Sequence, residues 1–178
     1  MVHPLHDIDP GVPEEFNVII EIPKGSKNKY EIHKPSGLIM LDRVSHTSQD
    51  FPYDYGFVPQ TLWDDGDPLD VVLLTTYPLY PGILVKARPV AMMHMIDGGD
   101  ADDKVIAVPV EDPRWDDVLD LKDLNKHTLR EIEHFYSTYK QLQKKEVVVK
   151  DFQPKKVAIA GFKKACEKYV ESMKNKAK

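Results

Sequence analysis

The spacing of apolar side chains divides the chain into a strand-rich stretch followed by a helical one. Between Phe16 and Ile22, the apolar Phe16, Val18, Ile20 and Ile22 share one face and Asn17, Ile19 and Glu21 the other, the period of two expected of a strand. Lys29 to His33 places Tyr30 and Ile32 on one face and Lys29, Glu31 and His33 on the opposite one. The Pro35-Ser36-Gly37 turn then leads into a third strand, Leu38 to Val44. Leu69 to Thr76 is an apolar run suited to a strand covered on both faces. Ile83 to Ile96 and Val105 to Val110 complete a mostly antiparallel set. Short strands with frequent Pro and Gly turns favour a closed barrel over an open sheet.

The last third changes period. Thr128-Leu129-Arg130-Glu131 matches a capping box, and Leu129, Ile132, Tyr136 and Tyr139 recur at helical spacing behind it. A strand from Glu146 to Lys150 follows, and a terminal helix begins after Pro154 with the stripe Ala158, Phe162, Ala165, Tyr169 and Met173. The expected fold is α+β, a small closed β-barrel with two flanking α-helices. No linker or repeat interrupts residues 1–178, which read as a single domain.

Composition narrows the function classes. A single cysteine excludes an intramolecular disulfide and suits a reducing compartment, and Cys166 reads as a small buried hydrophobe. No basic-then-apolar leader is visible, and no apolar run approaches the ~20 residues of a membrane span, so a cytoplasmic protein is expected. The net charge is -5. A nucleic-acid binder is usually basic, so any anion site here must concentrate its positive charge locally.

Candidate chemistry sits in two acidic turns. Asp64-Asp65-Gly66-Asp67-Pro68-Leu69-Asp70 runs directly into a core strand. In extended backbone, Asp65 and Asp67 point the same way, about 6–7 Å apart. Taken alone, such a turn is also what a solvated surface loop looks like. An EF-hand loop fails here, because counting from Asp65 puts Leu69 at the fifth position and Asp70, not Gly, at the sixth. The second turn, Asp97-Gly98-Gly99-Asp100-Ala101-Asp102-Asp103-Lys104, also lies between strong strands. Two such turns mounted on core strands suggest two sides of a site for a hard cation with all-oxygen ligands. The seven histidines form no zinc pattern and read as surface or core residues. Lys29, Arg43, Lys104 and Lys140 stand among the acids, with Tyr53, Tyr55 and Tyr139; Tyr139 also lies on the apolar stripe of its helix, where packing alone would explain it. Carboxylates by themselves repel an anion, since two like charges 4 Å apart cost about 4 kcal/mol at an effective dielectric of 20. Divalent cations reverse that sign, and Lys and Arg can then hold the remaining phosphate oxygens. This mixture suits metal-assisted phosphoryl transfer to water.

The stretch Asp65-Gly66-Asp67-Pro68-Leu69-Asp70-Val71-Val72 resembles the signature of the family I soluble inorganic pyrophosphatases, in their compact prokaryotic form. The resemblance extends over nearly the whole chain. It takes in Val18-Ile19-Ile20-Glu21-Ile22-Pro23, Lys29-Tyr30-Glu31, Asp42-Arg43, Pro52-Tyr53-Asp54-Tyr55-Gly56-Phe57-Val58-Pro59, Arg88-Pro89-Val90, Asp97, Asp102-Asp103-Lys104 and Tyr139-Lys140. It implies an OB-like barrel, hydrolysis of pyrophosphate to two phosphates by a metal-activated water, Mg²⁺ as cofactor with Ca²⁺ inhibitory, and a homohexamer. By the same resemblance Asp65, Asp70 and Asp102 hold the two metals that activate the water. Asp97 helps hold a metal arriving with substrate, and Glu31 assists another through water. Asp67 is the implied general base; Lys29, Arg43, Tyr55, Lys104, Tyr139 and Lys140 are the implied phosphate-holding set, and Glu21 is a supporting residue. Two positions depart from the family pattern: Phe51 stands where Tyr is common, and Gly98 where an acid is common.

Two rival readings differ in class. Phe51, Tyr53, Tyr55 and Phe57 alternate and could form a stacking platform for single-stranded nucleic acid, although the net charge of -5 opposes a backbone groove. A metal-dependent phosphoesterase acting on an organic substrate would share the same acidic turns.

Overall fold

The computed structural model describes residues 2–176. In chain order the strands are β1 (Gly11–Val12), β2 (Glu15–Ile22), β3 (Asn28–His33), β4 (Leu38–Val44), β5 (Asp54–Phe57), β6 (Asp70–Leu73), β7 (Leu84–Asp97), β8 (Asp100–Ala101), β9 (Lys104–Pro109) and β10 (Val147–Pro154). The two α-helices are α1 (Lys126–Thr138) and α2 (Lys155–Lys176). Hydrogen bonding runs β2–β5–β6–β9–β7, and β7 pairs back onto β2, so five strands close into a ring. The expected barrel with two helices is what the chain forms. Pairing around the ring is antiparallel except between β6 and β9, which run parallel with Asp70 opposite Lys104. One strand, β7, is long enough to serve four neighbours: it pairs with β2 at its start, β9 in its middle, β10 along its far half and the short β8 at its end. Its register against β9 shifts between Pro89 and Ala91. Proline has no N–H for the ladder, and a bulge is where a central strand tolerates it.

Alternation on the strands separates two cores. Val71 and Leu73 join Phe16, Val18, Ile20 and Val105 in a cluster capped by Ala158, Phe162 and Ala165 of α2. Val72 faces the other way and joins Val90, Met93 and Ile106 in a cluster covered by Ile132, Phe135 and Tyr136 of α1. The hairpin β3–β4 is a separate two-stranded sheet, with Lys29 opposite Arg43. It is seated through Ile32, which packs with Leu5, Ile19 and Phe57.

Several local expectations need correction. The apolar run 69–76 is a strand only over Asp70–Leu73; Leu74 and Thr75 are buried beyond its end, where the Thr75 hydroxyl donates to the buried Asp54 carboxylate. The 51–57 stripe contains a central barrel strand, β5; Phe51, Tyr55 and Phe57 are buried, so it is no exposed stacking platform. Helix α1 starts before the supposed capping box: Asn125 is the N-cap and accepts from His127 N, a role asparagine's short amide fills well. On α2 the apolar stripe holds for Ala158, Phe162 and Ala165 but fades to a part-buried Tyr169 and an exposed Met173. Cys166 is half-buried rather than buried, and burial pushes its thiol up to about 11. Among the described residues no helix is long and apolar enough to cross a membrane.

Candidate active site

The turn before β6 is fixed by its own hydrogen bonds. Asp65 Oδ1 accepts from Asp67 N at 2.9 Å, and Trp63 N donates to Asp67 O at 2.7 Å. Between the two acids Gly66 adopts φ 89°, a left-handed conformation that glycine takes without penalty. Thr61 Oγ1 accepts from Leu69 N at 2.9 Å and so anchors the turn's exit to the core. The acids of this turn are therefore presented by a shaped loop.

At the start of β6 the parallel pairing sets Asp70 beside Lys104, and Asp102 lies two residues before that lysine. The Lys104 side chain is buried, and its Nζ donates to Asp70 Oδ2 at 2.8 Å, Asp102 Oδ1 at 2.7 Å and Tyr55 Oη at 3.1 Å. Burial alone would lower its pKa, but the two carboxylates outweigh burial and hold the ammonium well above its ordinary value. Asp102 is raised as well, which for an acid disfavours the charged form: burial, with the charges of Asp70 and Asp65, lifts its carboxyl above the usual range despite Lys104. Asp65 is likewise raised by burial, with Asp70 and Asp67 adding to the shift. Burial also raises the hydroxyls of Tyr55 and Tyr139.

Facing this cluster, the hairpin supplies cations already paired with acids. Lys29 Nζ lies 2.8 Å from Glu31 Oε2 and 3.0 Å from Asp42 Oδ2, and Arg43 Nη1 lies 2.5 Å from the same Asp42 oxygen. A cavity of about 380 Å³ between hairpin and barrel is lined by Glu21, Lys29, Glu31, Tyr55, Asp67 and Asp70, among others. Lys29 is shared with an adjoining crevice bordered by Arg43 and Tyr139. Asp97 and Lys140 line neither space; they form an ion pair with each other, and the Lys140 ammonium sits 5.3 Å from the centre of the Tyr139 ring. Of the sequence-derived set, then, Glu31, Lys29, Tyr55, Asp67 and Asp70 share the cavity. Asp102 and Lys104 join it through Asp70, Asp65 through its turn, and Arg43 and Tyr139 through the crevice.

Two acids gain importance from the structure. Glu21 is buried, accepts from Ile32 N at 2.7 Å, and is pushed up to about 8, chiefly by burial and then by Asp70. Asp42 clamps Lys29 and Arg43 together; in the sequence it entered only through the matched stretch Asp42-Arg43, with no role assigned to it. The two departures from the family pattern also have a place in the fold. Phe51 is buried, with its ring 4.9 Å from Phe135 and 6.2 Å from Tyr55. Gly98 turns the β7–β8 hairpin at φ 61°, where glycine avoids strain. Among the histidines, His94 pairs with Asp103 at 2.9 Å, and only His33 lines the cavity.

The donor set suits a hard cation. Asp65, Asp70 and Asp102 offer oxygen ligands, and their crowding raises two of the three carboxyls, a repulsion that a divalent ion would relieve. Among the described residues, however, no three or more His, Cys, Asp or Glu side chains are gathered into a ready cage. All-oxygen donors of this kind suit a hard divalent cation rather than zinc.

Comparison with known proteins agrees with the geometry. A family model described as inorganic pyrophosphatase matches residues 18–170. Soluble inorganic pyrophosphatase 1 of Arabidopsis thaliana is 46% identical over 171 residues, spanning 95% of this chain and 81% of that protein. The soluble inorganic pyrophosphatase PPA1 of Solanum tuberosum is 44% identical, with 95% and 81% covered. Among solved structures, the inorganic pyrophosphatase from Thermus thermophilus has a TM-score of 0.90 at 42% identity, covering 93% of this chain and 98% of that one. The enzyme from Helicobacter pylori has a TM-score of 0.88 at 43% identity, with 91% and 98% covered.

Proposed function

This chain belongs to the inorganic pyrophosphatase family and hydrolyses pyrophosphate, and on that premise we propose how its residues divide the work. Asp67 is the general base that takes the proton of the attacking water. Asp65, Asp70 and Asp102 hold divalent cations, Mg²⁺ in the first place, with Asp97 and Glu31 assisting. When bound, such ions lower the pKa of water and offset the charge of pyrophosphate.

Lys29, Arg43, Tyr55, Lys104, Tyr139 and Lys140 hold the phosphate oxygens. All four cations in this set already neutralise or neighbour a carboxylate. Lys104 is the limiting case: an ammonium has three N–H donors, and Lys104 directs them at Asp70, Asp102 and Tyr55. It reaches a phosphate oxygen only by exchanging one of those partners. Binding of substrate is thus an exchange of acceptors among fixed cations, and Asp42 keeps Lys29 and Arg43 side by side for it.

The observation that carries this reading is the buried Lys104 between Asp70 and Asp102, because it unites cation-binding acids and a phosphate-binding lysine at one point. Phosphate release from pyrophosphate, measured with Mg²⁺, with Ca²⁺ and in excess EDTA, tests it. Mg²⁺-supported turnover, inhibition by added Ca²⁺ and loss of activity in EDTA are expected; full activity in EDTA would overturn the metal role. A cytoplasmic homohexamer, carried over from the family resemblance, belongs to the same proposal, and sedimentation as a ~20 kDa monomer at micromolar protein would count against it.

A further inference from the structure

The β3–β4 hairpin and the Asp65–Pro68 turn meet at the edge of the catalytic cavity. The hairpin is not strand-paired with the barrel, yet it carries Lys29, Glu31 and Arg43. The turn carries Asp67. Among the described residues, the hydrogen bonds joining the two come from one side chain, Lys34, in the segment that connects β3 to β4. Its Nζ bonds Asp67 Oδ1 and lies 3.4 Å from Gly66 O. The Lys34 backbone is itself tied down from outside, where its carbonyl oxygen lies 2.8 Å from His3 Nε2. No other hydrogen bond reaches the Asp67 carboxylate among the described residues.

We propose that Lys34 is a positioning residue for the reaction: it holds one oxygen of Asp67, leaves the other to take the proton, and ties the base to the hairpin that carries Lys29 and Arg43. The inference rests on Asp67 being the base. Stability does not explain the contact. Both side chains are more than half exposed, at 57% and 55%, and a lone ion pair that wet adds little to folding. A carboxylate held by a single partner on a solvated turn is, by contrast, easily misdirected. Misplacing a reacting group by about 1 Å can cost on the order of 100-fold in rate. The lysine also differs from the phosphate-holding cations, since it grips the outer turn through a backbone carbonyl as well as the acid.

The test compares Lys34→Met, Lys34→Arg, Asp67→Asn and the double variant Lys34→Met with Asp67→Asn, at saturating Mg²⁺. Lys34→Met keeps the stem and removes the ammonium. It is expected to lower kcat on the order of tenfold while KM for pyrophosphate stays within about twofold, the signature of an interaction that matters in the transition state. Lys34→Arg should recover most of the loss. On the Asp67→Asn background, Lys34→Met should have no further effect, because residues acting as a unit are not additive. A Lys34→Met loss repeated in full on that background overturns the positioning role, as does a raised KM with unchanged kcat. A normal kcat in Lys34→Met beside a depressed one in Asp67→Asn overturns the role of Lys34 alone. A near-normal kcat in Asp67→Asn overturns the base assignment beneath it.

Discussion

Among the described residues Glu21 accepts a single hydrogen bond, from Ile32 N, in a buried position close to the charge of Asp70. With the folded pKa near 8 and an ordinary value of 4.5, the sign of its effect on stability is fixed. Below pH 4.5 the folded and unfolded chains both hold the proton, and nothing is lost. Between 4.5 and 8 the unfolded chain releases a proton that the folded one keeps, so stability falls as pH rises, by about 1.4 kcal/mol per pH unit. Above 8 the loss is complete. Glu21→Gln retains an oxygen for Ile32 N and has no proton to lose. In EDTA, its urea midpoint should therefore gain on that of the parent steadily from pH 5 to pH 8. Asp65 and Asp102 are raised in both proteins, so the difference isolates Glu21. Parallel profiles for the two would show that Glu21 ionises freely. In the sequence this residue was only the polar partner in an alternating strand and a supporting residue by resemblance. Its burial follows from the hairpin folding over β2, a long-range contact that no local pattern announces.

At the scale of elements, β5 is the instructive one. It was legible as an aromatic alternation but not as a strand, because Pro52, Gly56 and Pro59 punctuate it. The structure explains the glycine. A Cβ at Gly56 would lie 2.0 Å from Ile19 O and 3.0 Å from Ile20 Cα, both backbone atoms of β2 that cannot swing away. Gly56 thus permits the close approach that closes the barrel between β2 and β6, and its neighbour Tyr55 is delivered to Lys104. Gly56→Ala should destabilise the protein by about 1–3 kcal/mol, read as a lower urea midpoint with an unchanged slope. A midpoint equal to the parent's would mean that β5 moves away from β2 at no cost. By contrast, β4 was read from the sequence with its true limits, since a turn of Pro, Ser and Gly sets its start. The false start assigned to α1 arose because Thr128 and Glu131 match the capping-box pattern, whereas the helix begins three residues earlier on the plain N-cap of Asn125.

For the whole molecule, the residues proposed for the site come from places far apart in sequence: the hairpin, β5, the turn before β6, the end of β7, the start of β9 and the end of α1. Family motifs located these residues, and the barrel explains their meeting: β6 and β9 are neighbours only because the ring runs through them in parallel. The sequence alone could not reveal how the charges would be paired in the folded chain, with Lys104 between two acids and Lys140 on Asp97. The chain carries a net charge of -5, and raised carboxyls gather at Asp65 and Asp102. A cation that binds there binds the folded state and not the dispersed acids of the unfolded one. At a concentration 100 times its Kd, such a ligand adds about 2.7 kcal/mol. For a domain of this size that corresponds to a rise in Tm of roughly 5–11 °C. Mg²⁺ should therefore raise the melting temperature well beyond NaCl at matched ionic strength, at fixed protein concentration, and EDTA should reverse the gain. NaCl acts only by screening, which weakens exposed charge pairs without occupying the site. Replacing Asp102 by Asn removes one of the crowded donors and should shrink the Mg²⁺ shift. Equal shifts from Mg²⁺ and matched NaCl would mean that these carboxylates do not form a cation site.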